Sequence, residues 1–247
     1  MTDVAQTTVD PRWGPCDRDK KAKAILGTLQ LHCGRDLKNG LWLDIGCGSG
    51  GIAAKLACHV EKMVGVDPEP WERWAAYRQQ QPNLAFHAGT YHDLENLLGR
   101  DSCDVVICNQ VYEHVDKPEA LLRAVHGVLK LGGICYFAGP NLLWPIEPHV
   151  FWPFVHWLPR AFAQRAMRAL GSRHSAEFDA YSTHYWRLRR WFRDAGLVPH
   201  NAIAARIEAG FAVRGKRLPG WLAAMVDATA GISPGFVFVL SKATIAN

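Results

Sequence analysis

The sequence predicts an α/β fold, a seven-stranded and mostly parallel sheet with helices on both faces. Three observations carry that reading. Across residues 21–140, short β-branched apolar runs alternate with stretches of helical periodicity, the pattern of repeated strand–helix units. The first of those runs leads into a glycine-rich turn, Gly46 to Gly51, that opens the next helix. The alternation then breaks at Asn141 for a segment dense in proline and aromatic residues, and resumes toward a last apolar run at residues 235–240.

Each element has its own local signal. Strands are expected at residues 41–45, 63–66, 84–87, 105–108 and 134–138, with two more near 198–206 and 235–240. Pro70 suits a first helical position ahead of Trp71, Trp74, Ala75 and Arg78, spaced as one helix face. Pro118 opens another helix with Leu121, Leu122, Val125, Val128 and Leu129 inward, stopped by Gly132 and Gly133. In the segment 141–182, Trp144, Phe151, Trp152, Phe154, Trp157 and Phe162 sit among Pro145, Pro148, Pro153 and Pro159, so no long helix forms before Pro159. A helix at 160–170 follows. Residues 184–195 read as a helix with Tyr185, Leu188 and Phe192 on one face and Gly196 as its stop. Residues 210–232 read as a second insertion, with a helix at 221–230.

The chain is expected to be one domain of 247 residues: an amino-terminal arm and helix (1–40), a ligand-binding core (41–140), an aromatic lid (141–182), and a carboxy-terminal helix with strands (183–247). With 49% hydrophobic and 21% charged residues it has enough apolar surface for a sizeable core. No apolar run approaches the roughly 20 residues of a membrane-spanning helix. The polar first residues do not read as a secretory signal. Seven cysteines, an odd number without C-x-x-C pairs, suit a reducing compartment such as the cytoplasm, and argue against a disulfide framework or a metal cluster. The net charge of +5 is a mild basic excess with no concentrated patch, so no nucleic-acid partner is expected.

The sharpest signal is LWLDIGCGSGG at 41–51. Glycine is required where a chain turns tightly and where a ligand approaches the backbone without a Cβ in the way. Gly46, Gly48 and Gly51 also satisfy the dinucleotide G-x-G-x-x-G spacing, with Asp67 at the distance of a ribose contact. Two acids separate the possible ligands. Asp67, at the end of the second strand, can accept two ribose hydroxyl bonds in either case. Asp44, two residues before the first glycine, attracts an ammonium and repels a pyrophosphate, which favours S-adenosyl-L-methionine over NAD.

These residues, together with VGVDP (64–68), CDVVICNQVYEHVDKP (103–118), LKLGG (129–133) and DAGL (194–197), resemble the class I S-adenosylmethionine-dependent methyltransferases. The likeness is to their Rossmann-like small-molecule branch, which includes quinone-biosynthesis O-methyltransferases. It covers residues 41–197 in order and spacing, and it implies S-adenosyl-L-homocysteine as product. It implies that Asp44, Gly46 and Gly48 line the methionine end, with Gly50 in the same loop, and that Asp67 holds the ribose with Pro68 near the adenine. Thr90 stands where the family usually places an acid for the adenine amino group; the resemblance implies that its hydroxyl accepts the same bond, or that Tyr91 or Asp93 substitutes. Asn109 and Gln110 are expected beside the sulfonium and the acceptor, and Arg12 and Trp13 resemble an arm over the cofactor carboxylate.

A positively charged sulfonium is already an activated leaving group, so the protein's main task is alignment. A base helps when the acceptor is a hydroxyl. Candidates are His149 in the aromatic segment, His114 after the fourth strand, His184 at a helix start, and Glu147; the sequence does not choose between them. The aromatic segment reads as a pocket wall or lid in preference to a wedge for a membrane surface. The expected activity is O-methylation of a small apolar or aromatic metabolite, with an amine or a lipid-linked acceptor as alternatives. Three rivals differ in class. A base methylator of nucleic acid lacks its [DN]-P-P-[YFW] run here, where 109–112 reads NQVY. An NAD-dependent oxidoreductase is disfavoured by Asp44. A non-catalytic module that binds the cofactor stays open.

Overall fold

The computed structural model describes residues 15–34, 36–147, 152–171, 182–213 and 215–242. Arg12, Trp13 and His149 lie outside the described residues. The chain runs through α1 (Pro15–Cys33), β1 (Leu41–Ile45), α2 (Gly51–Ala57), β2 (Lys62–Asp67), α3 (Arg73–Gln80), β3 (Leu84–Ala88), α4 (Leu94–Leu98), β4 (Cys103–Asn109), a 3-10 turn (Tyr112–His114), α5 (Pro118–Val128) and β5 (Leu129–Pro140). Then come a short antiparallel pair, β6 (Ile146–Glu147) and β7 (Trp152–Pro153), a second 3-10 turn (Val155–Trp157), α6 (Arg160–Ala169), α7 (Tyr185–Asp194), β8 (Leu197–Asn201), α8 (Ile203–Ala212), α9 (Gly220–Ala228) and β9 (Gly235–Lys242).

Among the described residues seven strands form one sheet in the order β3-β2-β1-β4-β5-β9-β8. The first five are parallel, and β9 runs antiparallel to both β5 and β8. The expected architecture is therefore present. Chain order reverses between β1 and β4, the place where an open α/β sheet leaves a crevice at its carboxyl edge.

Side chains alternate along each strand, which sorts the core into two layers. Leu43, Val106, Phe137 and Phe238 pack on α5 and α7 through Leu122, Val125, Leu188 and Phe192. On the other face Trp42, Ile107, Tyr136 and Val239 pack on α1 and α2 through Ile25, Leu29, Ile52 and Leu56. Asp44 has the parity of Trp42 and therefore points to the α1 face. Its position there follows from the alternation alone.

Four expectations need correction. Pro70 does not open α3, which begins at Arg73. Glu69 precedes Pro70 and is held away from helical geometry, and its N–H is donated to Asp67 instead, at 3.1 Å. Helix α5 stops at Val128, not at Gly132, because Leu129 is drawn into the ladder opposite Cys103. The strand expected to reach residue 206 ends at Asn201. The alanine-rich IAARIEAGFA is a strong helix former, and it packs as α8 on α1 and β9, which places Arg206 on a helix. The second insertion accordingly starts later than residue 210, since α8 runs to Ala212.

The aromatic segment is present between Asn141 and Thr183, which meet in an isolated parallel bridge. Its described residues build a separate small core, with Trp152 against Val155, Ala163 and Met167. Among the described residues no helix is long and apolar enough to cross a membrane.

Candidate active site

The glycine turn after β1 is built by backbone geometry that only glycine adopts freely. Gly46, Gly48 and Gly50 have φ of +66°, +51° and +82°. The turn is tied to β2, since the N–H groups of Gly46 and Cys47 both donate to Val66 O, at 2.8 and 3.2 Å. From α3, the Trp74 indole N–H donates to Gly48 O at 2.9 Å, while its ring stacks on Phe86. Space around the glycines is unequal. A Cβ at Gly48 would meet nothing within 4 Å, whereas one at Gly50 would strike Phe86 at 2.5 Å and one at Gly46 would strike Val111 at 2.7 Å. Gly48 thus leaves open room over the backbone. Gly50 is a packing requirement beneath β3.

Two carboxylates stand at this turn. Asp67, at the end of β2, accepts the Gly48 N–H at 2.8 Å through Oδ2 and the Glu69 N–H through Oδ1. Asp44, near the end of β1, is 3% exposed. Its burial, reinforced by the Asp67 charge and opposed by Arg18, pushes its pKa up to about 7. A buried acid beside a second acid is costly to ionise unless a cation arrives.

A cavity of about 780 Å³ opens along the carboxyl edge of the sheet, within the ~300–1,000 Å³ range of ligand pockets. Asp44, Gly46 and Gly48 line one part of it, and Asn109 and Gln110 border it from the end of β4. Gln110 holds a left-handed φ of +60° with its N–H on Ala138 O at 2.8 Å, a strained backbone set at the cavity rim. The opposite part is lined by Ala138 and Gly139 of β5, Ser233, Phe236 and Val237 around the start of β9, and Ile203 of α8. Asn141 braces that wall by donating its side-chain N–H groups to the carbonyls of Gly231 and Ser233 at 3.0 and 2.9 Å.

The structure brings Asp44, Gly46, Gly48, Asn109 and Gln110 to one cavity and leaves other sequence candidates outside its described lining. Asp67 acts on the loop from beneath. Pro68 is exposed at the end of β2. The Thr90 hydroxyl donates to Asp93 at 3.0 Å and accepts the His92 N–H at 3.3 Å, and Tyr91 packs on the core beside His92. His114 is exposed on its 3-10 turn. His184 caps α7, its Nδ1 accepting the Arg187 N–H at 3.2 Å. No described residue of the aromatic segment 146–171 lines the cavity. Cys108 is fully buried and burial pushes its thiol well up, so it is no nucleophile. Among the described residues there is no cluster able to hold a metal.

Among the lining residues that sequence reasoning missed are the cations Arg18 and Lys21 of α1 and Arg206 of α8, and the phenol Tyr136 of β5. Arg206 was hidden because its segment read as a strand, and Tyr136 because it looked like ordinary core.

The chemistry fits S-adenosylmethionine. An ammonium suits the buried Asp44, a ribose suits Asp67, and the open face of Gly48 accepts close approach of a ligand. Residues 43–137 match the family model described as "Methyltransferase domain". A ubiquinone biosynthesis O-methyltransferase of Xanthomonas euvesicatoria is 25% identical over 198 residues, covering 75% of each chain. An uncharacterized methyltransferase of Mycobacterium leprae is 31% identical over 155 residues, which is 61% of this chain and 56% of that one. In fold, the chain is similar to 1,6-didemethyltoxoflavin-N1-methyltransferase of Burkholderia thailandensis, solved with bound 1,6-didemethyltoxoflavin and S-adenosylhomocysteine. The TM-score is 0.55 at 17% identity, over 92% of this chain and 79% of that one. The chain thus carries a methyltransferase domain over residues 43–137, and its turn, acids and sheet order are similar to those of the class I S-adenosylmethionine-dependent methyltransferases.

Proposed function

We propose that the chain O-methylates a small apolar or aromatic metabolite. One observation supports this above the rest. The glycine turn opens into the same cavity as an apolar wall of Ile25, Ala138, Ile203, Phe236 and Val237. When bound, the cofactor supplies a methyl group on a sulfonium that leaves as a neutral thioether. The residues of this chain do the positioning. Asp44 binds the ammonium and Asp67 the ribose hydroxyls. Pro68 borders the adenine, whose amino group meets Thr90 or Tyr91. Asn109 and Gln110 hold the acceptor oxygen in line with the methyl, where alignment lowers the barrier most. The described cavity lining contains no imidazole. His149, from the aromatic segment, is our assignment for the group that takes the hydroxyl proton, ahead of His114 and of His184, which is committed to its helix cap. The relative from Xanthomonas, named for O-methylation, supports oxygen over nitrogen as the acceptor atom.

The test is transfer of labelled methyl from S-adenosylmethionine to matched phenols, alcohols and amines. Methylation of amines alone would replace this reading with N-methylation. Binding of S-adenosylhomocysteine with no transfer across the panel would favour a non-catalytic module.

A lipid-linked acceptor is a second reading with its own observation. Phe154, Trp157 and Phe162 are 51, 50 and 62% exposed, and α6 adds Arg165 and Arg168 to the same segment. Exposed aromatics beside arginines suit a membrane surface. Sedimentation with anionic vesicles tests it; a chain that stays in the supernatant removes it.

A further inference from the structure

We propose that the acceptor is a carboxylic acid, and that Arg206 binds its carboxylate at the end of the cavity remote from the glycine turn. The inference rests on the methyltransferase reading and adds the substrate's charge and the residue that selects it.

Position comes first. Asp44, Gly46 and Gly48 belong to the β1 end of the cavity, and Ser233, Gly235 and Val237 to its β9 end. Strands β4 and β5 intervene, so the two ends stand roughly 14 Å apart at about 4.8 Å per strand. That span holds the methionine end of the cofactor and a separate acceptor. Arg206 comes from α8 and acts on Tyr136 of β5, two strands from β1, which puts it toward the acceptor end.

Charge comes second. The ionisable groups in the described lining besides Cys47 and Tyr136 are Arg18, Lys21, Arg206 and Asp44. Arg18 lies close enough to act on Asp44, the acid assigned to the cofactor ammonium. Arg206 is the cation of that lining assigned to the acceptor end, and a cation there suits an anion on the partner that shares the cavity.

Geometry comes third. Arg206 and Tyr136 line the same cavity, with the guanidinium close enough to act on the phenol, and Tyr136 is 2% exposed. A neutral phenol beside it leaves the charge of the guanidinium uncancelled. The planar fork of a guanidinium matches a carboxylate in two parallel bonds. Between it and Asn109 the wall is apolar, through Ala138, Ile203 and Phe236, which fits an aromatic or alkyl body. Arg206 is thus a specificity residue at a distance from the transferred methyl, and Tyr136 is its positioning residue.

The experiment uses the full chain saturated with S-adenosylhomocysteine. Benzoate and 3-phenylpropanoate are titrated against benzamide and 3-phenylpropanamide by ligand-observed NMR. The acids are expected to bind about tenfold or more tightly than their amides, the scale of one charge-assisted pair. Arg206→Gln should erase that preference, and Tyr136→Phe should reduce it, with S-adenosylhomocysteine affinity unchanged in both. Equal binding of acids and amides overturns the proposal, as does a preference that survives Arg206→Gln or no acid binding at about 10 mM, weaker than ~1 mM sites by tenfold. If Arg206→Gln does not fold, Tyr136→Phe decides: an undiminished preference overturns the proposal. Failure of the unmodified chain to bind S-adenosylhomocysteine would instead strike the methyltransferase reading itself, so the two failures are distinct.

Discussion

Asp44 and Asp67 lie near the ends of adjacent parallel strands, and the charge of Asp67 helps keep the buried Asp44 protonated up to about pH 7. Asp67 also receives the Gly48 N–H, so one acid shapes the loop while conditioning the other. The pair is unfavourable when empty and favourable when a cation binds.

That relationship makes cofactor affinity depend on pH. Binding an ammonium requires ionised Asp44, so affinity for S-adenosylhomocysteine should fall about tenfold per pH unit below 7 and level off above it. Calorimetry between pH 5 and 8.5 checks this. A flat profile would remove Asp44 from the ammonium site.

The same group makes stability of the ligand-free protein fall with pH. Its folded pKa lies above the ordinary 3.8, so its contribution is fully present below 3.8 and is lost as pH rises through about 7. The loss is at most about 4 kcal/mol, at ~1.36 kcal/mol per pH unit between the two values. Asp44→Asn should therefore raise the Tm of the ligand-free protein at pH 8 while abolishing tight cofactor binding. Thermal unfolding with and without S-adenosylhomocysteine measures both.

Asp67→Ala should weaken cofactor binding by ~1–3 kcal/mol, the range for bonds to a charged acceptor. The Gly48 N–H also loses its partner, so part of the loss should appear as slower association with the loosened loop. Unchanged affinity in calorimetry would contradict the ribose assignment.

Trp74→Phe keeps the stack on Phe86 and removes the indole bond to Gly48 O. Expected is a loss of ~0.5–1.5 kcal/mol in cofactor affinity with nearly native Tm. Equal losses in both would make Trp74 a core residue only.

Gly65→Ala places a Cβ 2.6 Å from Phe86 and 2.8 Å from the Cys47 sulfur, under the loop. Both neighbours are buried, so overpacking should cost ~1–3 kcal/mol in urea unfolding. His149→Ala should lower turnover and spare cofactor affinity; a parallel fall in both would place His149 at the cofactor.

Much of the molecule is determined locally and was legible in residue order. Strand β1 and its turn follow from an apolar run meeting Gly46, Gly48 and Gly50, and the unbroken apolar run at 105–108 announces a strand buried on both faces. The carboxylates at the ends of β1 and β2 pointed to the cofactor because their chemistry is carried by residue type and spacing. Where tertiary contacts compete with local preference, the sequence was silent. Leu129 leaves its helix because a ladder position opposite Cys103 is available, and residues 203–206 turn helical where α1 offers a surface to pack on. Arg206 reaches the cavity for the same reason: only folding brings Tyr136, 70 positions earlier in the chain, to its guanidinium. Residue type and spacing settle what a side chain can do, and the long-range packing of α1, α8 and β5 settles where it does it.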